Sequence, residues 1–177
     1  VKNADDFTED EIKQLMKNAA IDANQRIYKK SLEVQELEGM GTTLVAVISC
    51  LCGTFAINIG DSRIYRQVDG NMIQISKDHS FVQEMVDKGK LTPDEAKDDP
   101  RKNYITRAIG VNSDVRVDFF QEYVSDNDVI ILCTDGLTNF VEASDLLDAF
   151  NENEIEKVAE SLVDKANENG GGDNITV

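Results

Sequence analysis

The chain has no excess of basic residues, because 18 Lys and Arg stand against 34 Asp and Glu and give a formal net charge of −16. Binding to nucleic acid or to an anionic membrane needs a basic face, so this balance argues against both partners. No apolar run approaches the roughly 20 residues that span a bilayer. The composition, 41% hydrophobic and 29% charged, is ordinary for a globular protein, and 177 residues predict one domain.

Cysteine is scarce, and its spacing does not predict a disulfide framework. Cys50 and Cys52 lie two positions apart in a strand-like run, which is not the CxxC redox spacing, and Cys133 lies in an apolar run. We interpret all three as small buried hydrophobic residues of a cytoplasmic protein.

Helical periodicity predicts one long helix near the start of the chain and two near its end. The first begins at a Thr8–Glu11 capping box and runs to about Lys30. Its apolar stripe is Ile12, Leu15, Met16, Ala19, Ala20, Ala23 and Ile27. The later helices are expected at residues 144–150 and 154–167. Ser80 and Thr92 each predict the start of a shorter helix in the region 77–109, which resembles an insertion at one end of a sheet.

Strand patterns are expected at residues 42–50, 54–59, 63–68, 72–75, 115–124 and 128–134, with a final strand opening at Asp173. The turn Asp69-Gly70-Asn71 is a strong hairpin signal. Sequential hairpins predict antiparallel pairing rather than a parallel βαβ sheet.

Three aspartates, Asp61, Asp135 and Asp173, each follow or accompany an apolar run. A carboxylate at the end of a buried strand is held rigidly at the rim of a core. Several such carboxylates at one rim would suit hard cations such as Mg²⁺ or Mn²⁺, which prefer oxygen ligands. Each segment taken alone also fits an ordinary turn, so only their joint occurrence indicates a metal site.

Six motifs occur in an order that resembles the metal-dependent protein serine/threonine phosphatases of type 2C, in their compact bacterial form. They are Gly39-Met40-Gly41-Thr42-Thr43, Gly60-Asp61-Ser62-Arg63, Asp78-His79-Ser80, Ile105-Thr106-Arg107-Ala108-Ile109-Gly110, Thr134-Asp135-Gly136-Leu137 and Gly172-Asp173-Asn174-Ile175-Thr176. The resemblance implies an α+β fold, a β-sandwich of two antiparallel sheets flanked by helices on both faces in four layers. It also implies a flap at residues 79–107.

The resemblance further implies a dinuclear Mn²⁺ or Mg²⁺ centre that activates water to hydrolyse phosphoserine and phosphothreonine in proteins. Asp135 and Asp173 correspond to catalytic ligands of the first metal. Asp61 corresponds to a ligand of a third, weaker metal that is shared with Asp135. The expected partners are phosphoproteins, including a serine/threonine kinase and its substrates, and the expected state is a monomer.

One departure from the family pattern concerns residues that precede Gly39. The family's N-terminal strands carry a phosphate-binding Arg, an acidic metal ligand and a metal-bridging Asp, and no counterpart occurs here. We expect either that the sequence leaves segments out or that the protein is truncated. We favour the first, because the chain also stops within its expected last strand.

Two other functions compete with the phosphatase. A catalytically incomplete pseudophosphatase or phosphoprotein-binding module would explain the missing ligands. An aspartyl-phosphate hydrolase with Asp135 as nucleophile would need a parallel sheet and a second acidic residue at position 137, which is Leu137.

The basic residues and the one histidine are also ambiguous. His79 is expected to have a structural hydrogen-bonding role rather than to act as a general acid. Arg63 is expected to pair with an acidic neighbour. Arg107, with Arg101 and Lys102, is a candidate for steering phosphate, although solvated charge is the default for Arg101 and Lys102.

Overall fold

The computed structural model describes residues 6–125 and 127–177. Its contacts divide the chain into two compact units, which are residues up to 61 with 78–123, and residues 62–77 with 124–177. The prediction of a single domain spanning residues 1–177, with its flap at 79–107, stays a prediction. Among the described residues, no helix is long and apolar enough to cross a membrane.

The first unit contains a three-stranded antiparallel sheet in the order β1-β2-β5. Its elements are α1 (Glu9–Glu33), a 3₁₀ turn (Gln35–Leu37), β1 (Leu44–Cys50), β2 (Gly53–Ile59), α2 (Phe81–Asp87), α3 (Pro93–Asp98) and β5 (Asp118–Glu122). The α1 residues Ile12, Met16 and Ala20 pack against alternate residues of β2. This packing covers the central strand of the sheet, so β2 is held rigidly up to its end at Ile59.

The second unit contains another antiparallel sheet, in the order β4-β3-β6. Its elements are β3 (Arg63–Val68), β4 (Asn71–Gln74), β6 (Val129–Cys133), α4 (Asp135–Thr138), α5 (Ala143–Glu152) and α6 (Ile155–Glu168). The core joins Tyr65 and Ile131 of the sheet to Leu137, Leu146 and Leu162 of the helices. Because Leu137 is fully buried in this core, the short helix α4 has a fixed position directly after β6.

Local sequence signals account for most element boundaries. The Thr8 and Thr92 capping boxes form, and Ser80 accepts a hydrogen bond from the backbone amide of Gln83. At the tip of the β3–β4 hairpin, Asp69 and Gly70 have φ values of 49° and 73°. Both lie in the left-handed region that this two-residue turn requires. The predicted caps and the predicted hairpin are therefore confirmed.

Several predicted boundaries and burials are wrong. Helix α1 ends at Glu33 rather than near Lys30, and Leu15 of the predicted apolar stripe is 46% exposed. Strand β5 covers only Asp118–Glu122. Further back along the chain, outside the predicted strand 115–124, Asn24 of α1 donates hydrogen bonds to the carbonyl oxygens of residues 112 and 113. A carbonyl bound in this way does not require a strand partner.

Residues 173–177 do not form the expected final strand. The backbone amide of Thr134 donates to the carbonyl oxygen of Thr176, but the amide of Thr176 donates to the side chain of Thr134 rather than to a backbone carbonyl. This pairing fixes the segment without forming a ladder.

Cys50, Cys52 and Cys133, which all lie in the described part of the chain, form no disulfide, and Cys50 Sγ lies 2.8 Å from Cys52 Sγ. Cys133 is buried, whereas Cys50 and Cys52 are only partly buried, so the predicted burial is right for one of the three.

Candidate active site

Asp135 lies where β6 passes into α4. Strand β6 ends at Cys133, Thr134 is extended, and Asp135 is the first helical residue. Cys133 pairs with Arg63 of the neighbouring strand β3, so the sheet brings Arg63 to the same edge. Strand register therefore sets the positions of the carboxylate and the guanidinium, and while burial raises the pKa of the Asp135 carboxyl, the Arg63 charge opposes part of that rise.

The segment that carries Asp173 runs alongside this strand-to-helix junction. The Thr134 amide donates to the Thr176 carbonyl at 3.1 Å, the Thr176 amide donates to the Thr134 hydroxyl at 3.1 Å, and that hydroxyl donates to the Asn174 carbonyl at 3.3 Å. Gly136 makes room for the approach, because a Cβ at this position would overlap the Asn174 carbonyl oxygen. These contacts hold residues 173–176 beside Asp135.

The charge state of Asp135 reflects this proximity. Burial raises the pKa of the Asp135 carboxyl, and the negative charge of Asp173 raises it further. Hydrogen bonds from the backbone amides of Gly136 and of Asp135 itself, together with the Arg63 charge, oppose the rise without cancelling it. The site therefore contains two carboxylates whose mutual repulsion is only partly compensated.

A divalent metal ion fits this donor set. Two carboxylates that repel each other are stabilised by a cation between them, and Mn²⁺ and Mg²⁺ prefer carboxylate oxygen. Among residues 6–125 and 127–177, no group of three His, Cys, Asp or Glu side chains is gathered as a metal site. Asp135 and Asp173 would thus supply two protein ligands and leave the remaining coordination positions to other groups.

Asp61 belongs to the other unit, where it follows the end of β2. Gly60, which precedes it, has a φ of 113° and would overlap the Thr43 side chain if it carried a Cβ. The backbone of Gly60 is hydrogen-bonded to His79. The expected structural role of His79 is consistent with this geometry, whereas the role of Asp61 as a metal ligand stays a prediction.

The sequence predicts roles for three arginines, either in pairing with an acidic side chain or in steering phosphate. The predicted pairing of Arg63 with an acidic neighbour stays a prediction; its Nη1 donates a hydrogen bond to the Tyr65 hydroxyl at 3.2 Å, and its charge slightly opposes the rise in the pKa of Asp135. Arg107, a candidate for steering phosphate, forms an ion pair with Asp118 at 2.6 Å, and its role toward phosphate stays a prediction. Arg101 pairs with Asp99 at 2.7 Å and lies over the ring of Phe81.

Thr134 and Gly136 both determine where Asp173 lies, although neither carries a sequence signal of its own for this role. The Thr-Asp-Gly motif that contains them was recognised as a unit. Their separate roles depend on contacts with residues about 40 positions further along the chain, 40 and 42 for Thr134. No local pattern reports such contacts.

Comparison with known proteins identifies the family of this chain. A family model described as Protein phosphatase 2C matches residues 1–169. The serine/threonine phosphatase stp of Listeria welshimeri serovar 6b is 36% identical over 172 residues, which are 97% of this chain and 68% of the relative. The crystal structure of the serine/threonine phosphatase Stp1 from Staphylococcus aureus matches with a TM-score of 0.90 and 31% identity, over 96% of this chain and 67% of that one.

A third comparison bears on the metal. The catalytic domain of the serine/threonine protein phosphatase PstP, solved in complex with two manganese ions, matches with a TM-score of 0.74. It is 35% identical and is aligned over 86% of this chain and 63% of that chain.

The chain belongs to the protein phosphatase 2C family of metal-dependent protein serine/threonine phosphatases. The predicted α+β fold class with two antiparallel sheets is confirmed by the structure and by these relatives. The aspartyl-phosphate hydrolase hypothesis is not supported, since every strand pair among the described residues is antiparallel.

Proposed function

We propose that this protein hydrolyses phosphoserine and phosphothreonine esters in other proteins with a dinuclear Mn²⁺ or Mg²⁺ centre. Asp135 and Asp173 would hold the first metal, and Asp61 would contribute to a third, weaker site. The observation that carries the proposal is the partly buried Asp135 carboxylate, whose pKa is raised by burial and by the charge of Asp173. A carboxylate pair of this kind is costly unless a cation or a proton neutralises it.

Bound divalent metal would offset the charge of the phosphate ester and make water a stronger nucleophile at neutral pH. The chain's own residues prepare the site for that chemistry. Hydrogen bonds of Thr134 to the segment 174–176 keep Asp173 close to Asp135 before metal binds. Burial and the charge of Asp173 raise the pKa of the Asp135 carboxyl, and the nearby Arg63 charge opposes part of that rise, which favours the ionised form that binds metal.

Because the net charge of the protein is −16, a bound metal would also help an anionic substrate to approach the site. A phosphate monoester approaching this protein meets overall repulsion, and a local cation would reverse it at the site. The substrates would be phosphoproteins, among them a serine/threonine kinase and the proteins it phosphorylates. A cytoplasmic location and a monomeric state complete the proposal and rest on sequence reasoning.

Phosphate release from a phosphothreonine peptide and a phosphoserine peptide, measured with Mn²⁺, with Mg²⁺ and with EDTA, tests the proposal. Asp135→Asn should lower turnover by at least about a hundredfold, since metal-ion catalysis supplies several kcal/mol. Asp148→Asn changes the charge equally on the exposed face of α5 and should leave turnover unchanged. Turnover that persists in EDTA, or an unaffected Asp135→Asn variant, would contradict the proposal.

Calorimetry with a non-hydrolysable phosphopeptide separates the enzyme from a phosphoprotein-binding module. An enzyme of the proposed kind should require Mn²⁺ or Mg²⁺ for tight binding. Equal affinity in the presence of EDTA would favour the binding module.

A further inference from the structure

His79 is buried and holds both backbone groups of Gly60. Its ring Nδ1 accepts a hydrogen bond from the Gly60 amide at 3.0 Å, and its own amide donates to the Gly60 carbonyl at 2.9 Å. Asn58 donates to the same carbonyl at 3.2 Å. Gly60 directly precedes Asp61, so the backbone that leads into this carboxylate is fixed by side chains as well as by β2.

The other ring nitrogen of His79 faces a carboxylate. His79 Nε2 lies 3.1 Å from Asp118 Oδ2, and Arg107 Nη1 lies 2.6 Å from Asp118 Oδ1. Because Nδ1 accepts an amide hydrogen, the proton of the neutral ring must be on Nε2. Arg107 Nη1 is also 2.8 Å from Nε2, but both atoms are donors, so the two groups converge on Asp118 instead of bonding to each other.

The same residues close the base of the segment 79–107. The Thr106 amide donates to the His79 carbonyl at 2.8 Å, and Ser80 and Ile105 form an antiparallel bridge. His79 therefore stands at one end of this segment and Arg107 at the other, and Asp118 joins them at the start of β5.

The turn at Gly60 has few alternatives. Its φ of 113° is in a region that side-chain-bearing residues rarely adopt, and Thr43 fills the space where a Cβ would lie. With both peptide groups of Gly60 hydrogen-bonded, the direction of the next residue is set. Loss of the His79 contact would leave the buried Gly60 amide without its acceptor. An unsatisfied buried amide costs more free energy than a typical hydrogen bond contributes to stability.

We propose that His79, oriented by Asp118 and Arg107, is a positioning residue that fixes the Gly60 turn and thereby the metal ligand Asp61. The inference rests on the proposed function for the metal-binding role of Asp61. The hydrogen-bond arrangement itself does not. In this proposal His79 neither transfers a proton nor coordinates a metal. Instead, it links the base of the segment 79–107 to the Asp61 carboxylate.

The tautomer of His79 can be read directly. His79 is the only histidine of the 177 residues, so ¹⁵N-labelled, metal-free protein should show ring nitrogen shifts typical of the Nε2–H form, with His79→Asn identifying the signals. In Asp118→Asn, the amide oxygen should remain with Arg107 and turn its NH₂ toward the ring. The proton should then move to Nδ1 and oppose the Gly60 amide, whose hydrogen-exchange protection should fall.

Two substitutions of His79 separate its two ring nitrogens. The side-chain oxygen of Asn can occupy the place of Nδ1 and still accept from Gly60. The amide nitrogen of Gln occupies the place of Nε2 and can still donate to Asp118, but Gln provides no acceptor near Gly60. His79→Asn should therefore keep the Gly60 amide protected, whereas His79→Gln should lower its protection by about tenfold or more.

Mn²⁺ titration connects the turn to metal binding, with Asp61→Asn as the reference for loss of the weak site. We expect His79→Gln to lower the Mn²⁺ affinity of that weak site by about tenfold. The free-energy cost of a buried amide without its acceptor corresponds to a factor of about this size. His79→Asn should retain it. Should His79→Gln fail to fold, Asp118→Asn provides the same test by inverting the tautomer.

The outcomes distinguish the two proposals. Equal Gly60 protection in His79→Gln and His79→Asn, or an Nδ1–H ring in the unmodified protein, would overturn the positioning role even if the enzyme is an active phosphatase. Unchanged Mn²⁺ binding in Asp61→Asn would overturn the metal role of Asp61 and with it the functional meaning of the turn. The ring shifts and Gly60 protection would then still report whether the hydrogen-bond arrangement exists.

Discussion

Gly136→Ala adds one methyl group where the segment that carries Asp173 approaches Asp135, the two proposed ligands of the first metal. The backbone of Gly136 lies outside the left-handed region, so alanine adds no conformational strain. Its Cβ would, however, overlap the Asn174 carbonyl oxygen and lie 2.9 Å from the Asn174 carbonyl carbon. Both atoms are backbone, and a backbone cannot rotate away as a side chain can. The segment 173–176 must therefore move.

The size of the effect follows from overpacking. Forcing an extra carbon into a packed site costs about 1–3 kcal/mol of unfolding free energy. For a protein of this size, each kcal/mol lowers Tm by about 2–4 °C. Activity should suffer more than stability, because a ligand misplaced by about 1 Å can cost about a hundredfold in rate. Thermal unfolding and Mn²⁺-dependent hydrolysis of p-nitrophenyl phosphate, measured on the same sample, provide both numbers.

Gly172→Ala is the matched control, since Gly172 is beside Asp173 in the same segment. A Cβ there would approach Phe140 Cζ at 3.2 Å, and an aromatic side chain can shift by a few tenths of an ångström. This variant should lose less than about 1 kcal/mol and retain most of its activity. If Gly136→Ala kept the Tm, the Mn²⁺ affinity and the turnover of the unmodified protein, the close approach of Gly136 and Asn174 would not position Asp173.

Three further outcomes test the energetics of the two units. Burial and a neighbouring carboxylate raise the pKa of Asp135 above 3.8 in the folded protein. The ionised carboxylate therefore destabilises the metal-free fold at neutral pH. This destabilisation is absent at a pH below the pKa of Asp135 in the unfolded chain. Asp135→Asn should therefore raise the metal-free Tm at pH 7, and this gain should shrink as the pH falls toward 4. Asn24, 1% exposed, makes three hydrogen bonds. Asn24→Ala should cost about 2–3 kcal/mol in urea unfolding, against little change for exposed Asn18→Ala. Leu162 is buried in the second unit, so Leu162→Ala should cost about 2–5 kcal/mol, whereas Leu32→Ala, 70% exposed, should cost little.

Features that depend on a few neighbouring residues were predictable from the sequence. The Thr8 and Thr92 capping boxes join residues three apart, and the Asp69-Gly70 turn needs only two residues that tolerate positive φ. The Thr-Asp-Gly and Gly-Asp-Asn motifs were sufficient to propose Asp135 and Asp173 as a pair. The structure places the segments that carry them side by side.

Features that depend on distant residues were not predictable. Strand β5 begins at Asp118 rather than at residue 115, and Asn24 of α1 binds the backbone of residues 112 and 113 from 88 and 89 positions away. Leu15 fits the apolar stripe of α1, but the covering surface does not extend to it. Periodicity identifies the face of a helix, and only the packed neighbours decide how wide that face is.

The sequence by itself determined the α+β class, the positions of the caps and turns, and the family to which the chain belongs. The tertiary structure decided which polar groups meet. It paired Arg107 with Asp118, and it placed Thr134 against Thr176, 42 residues away. The physical reason is that an unmatched polar group is costly only once it is buried. The partner of a buried polar group therefore depends on all the residues that pack around it. These residues are distant in the sequence, so local sequence patterns do not identify them.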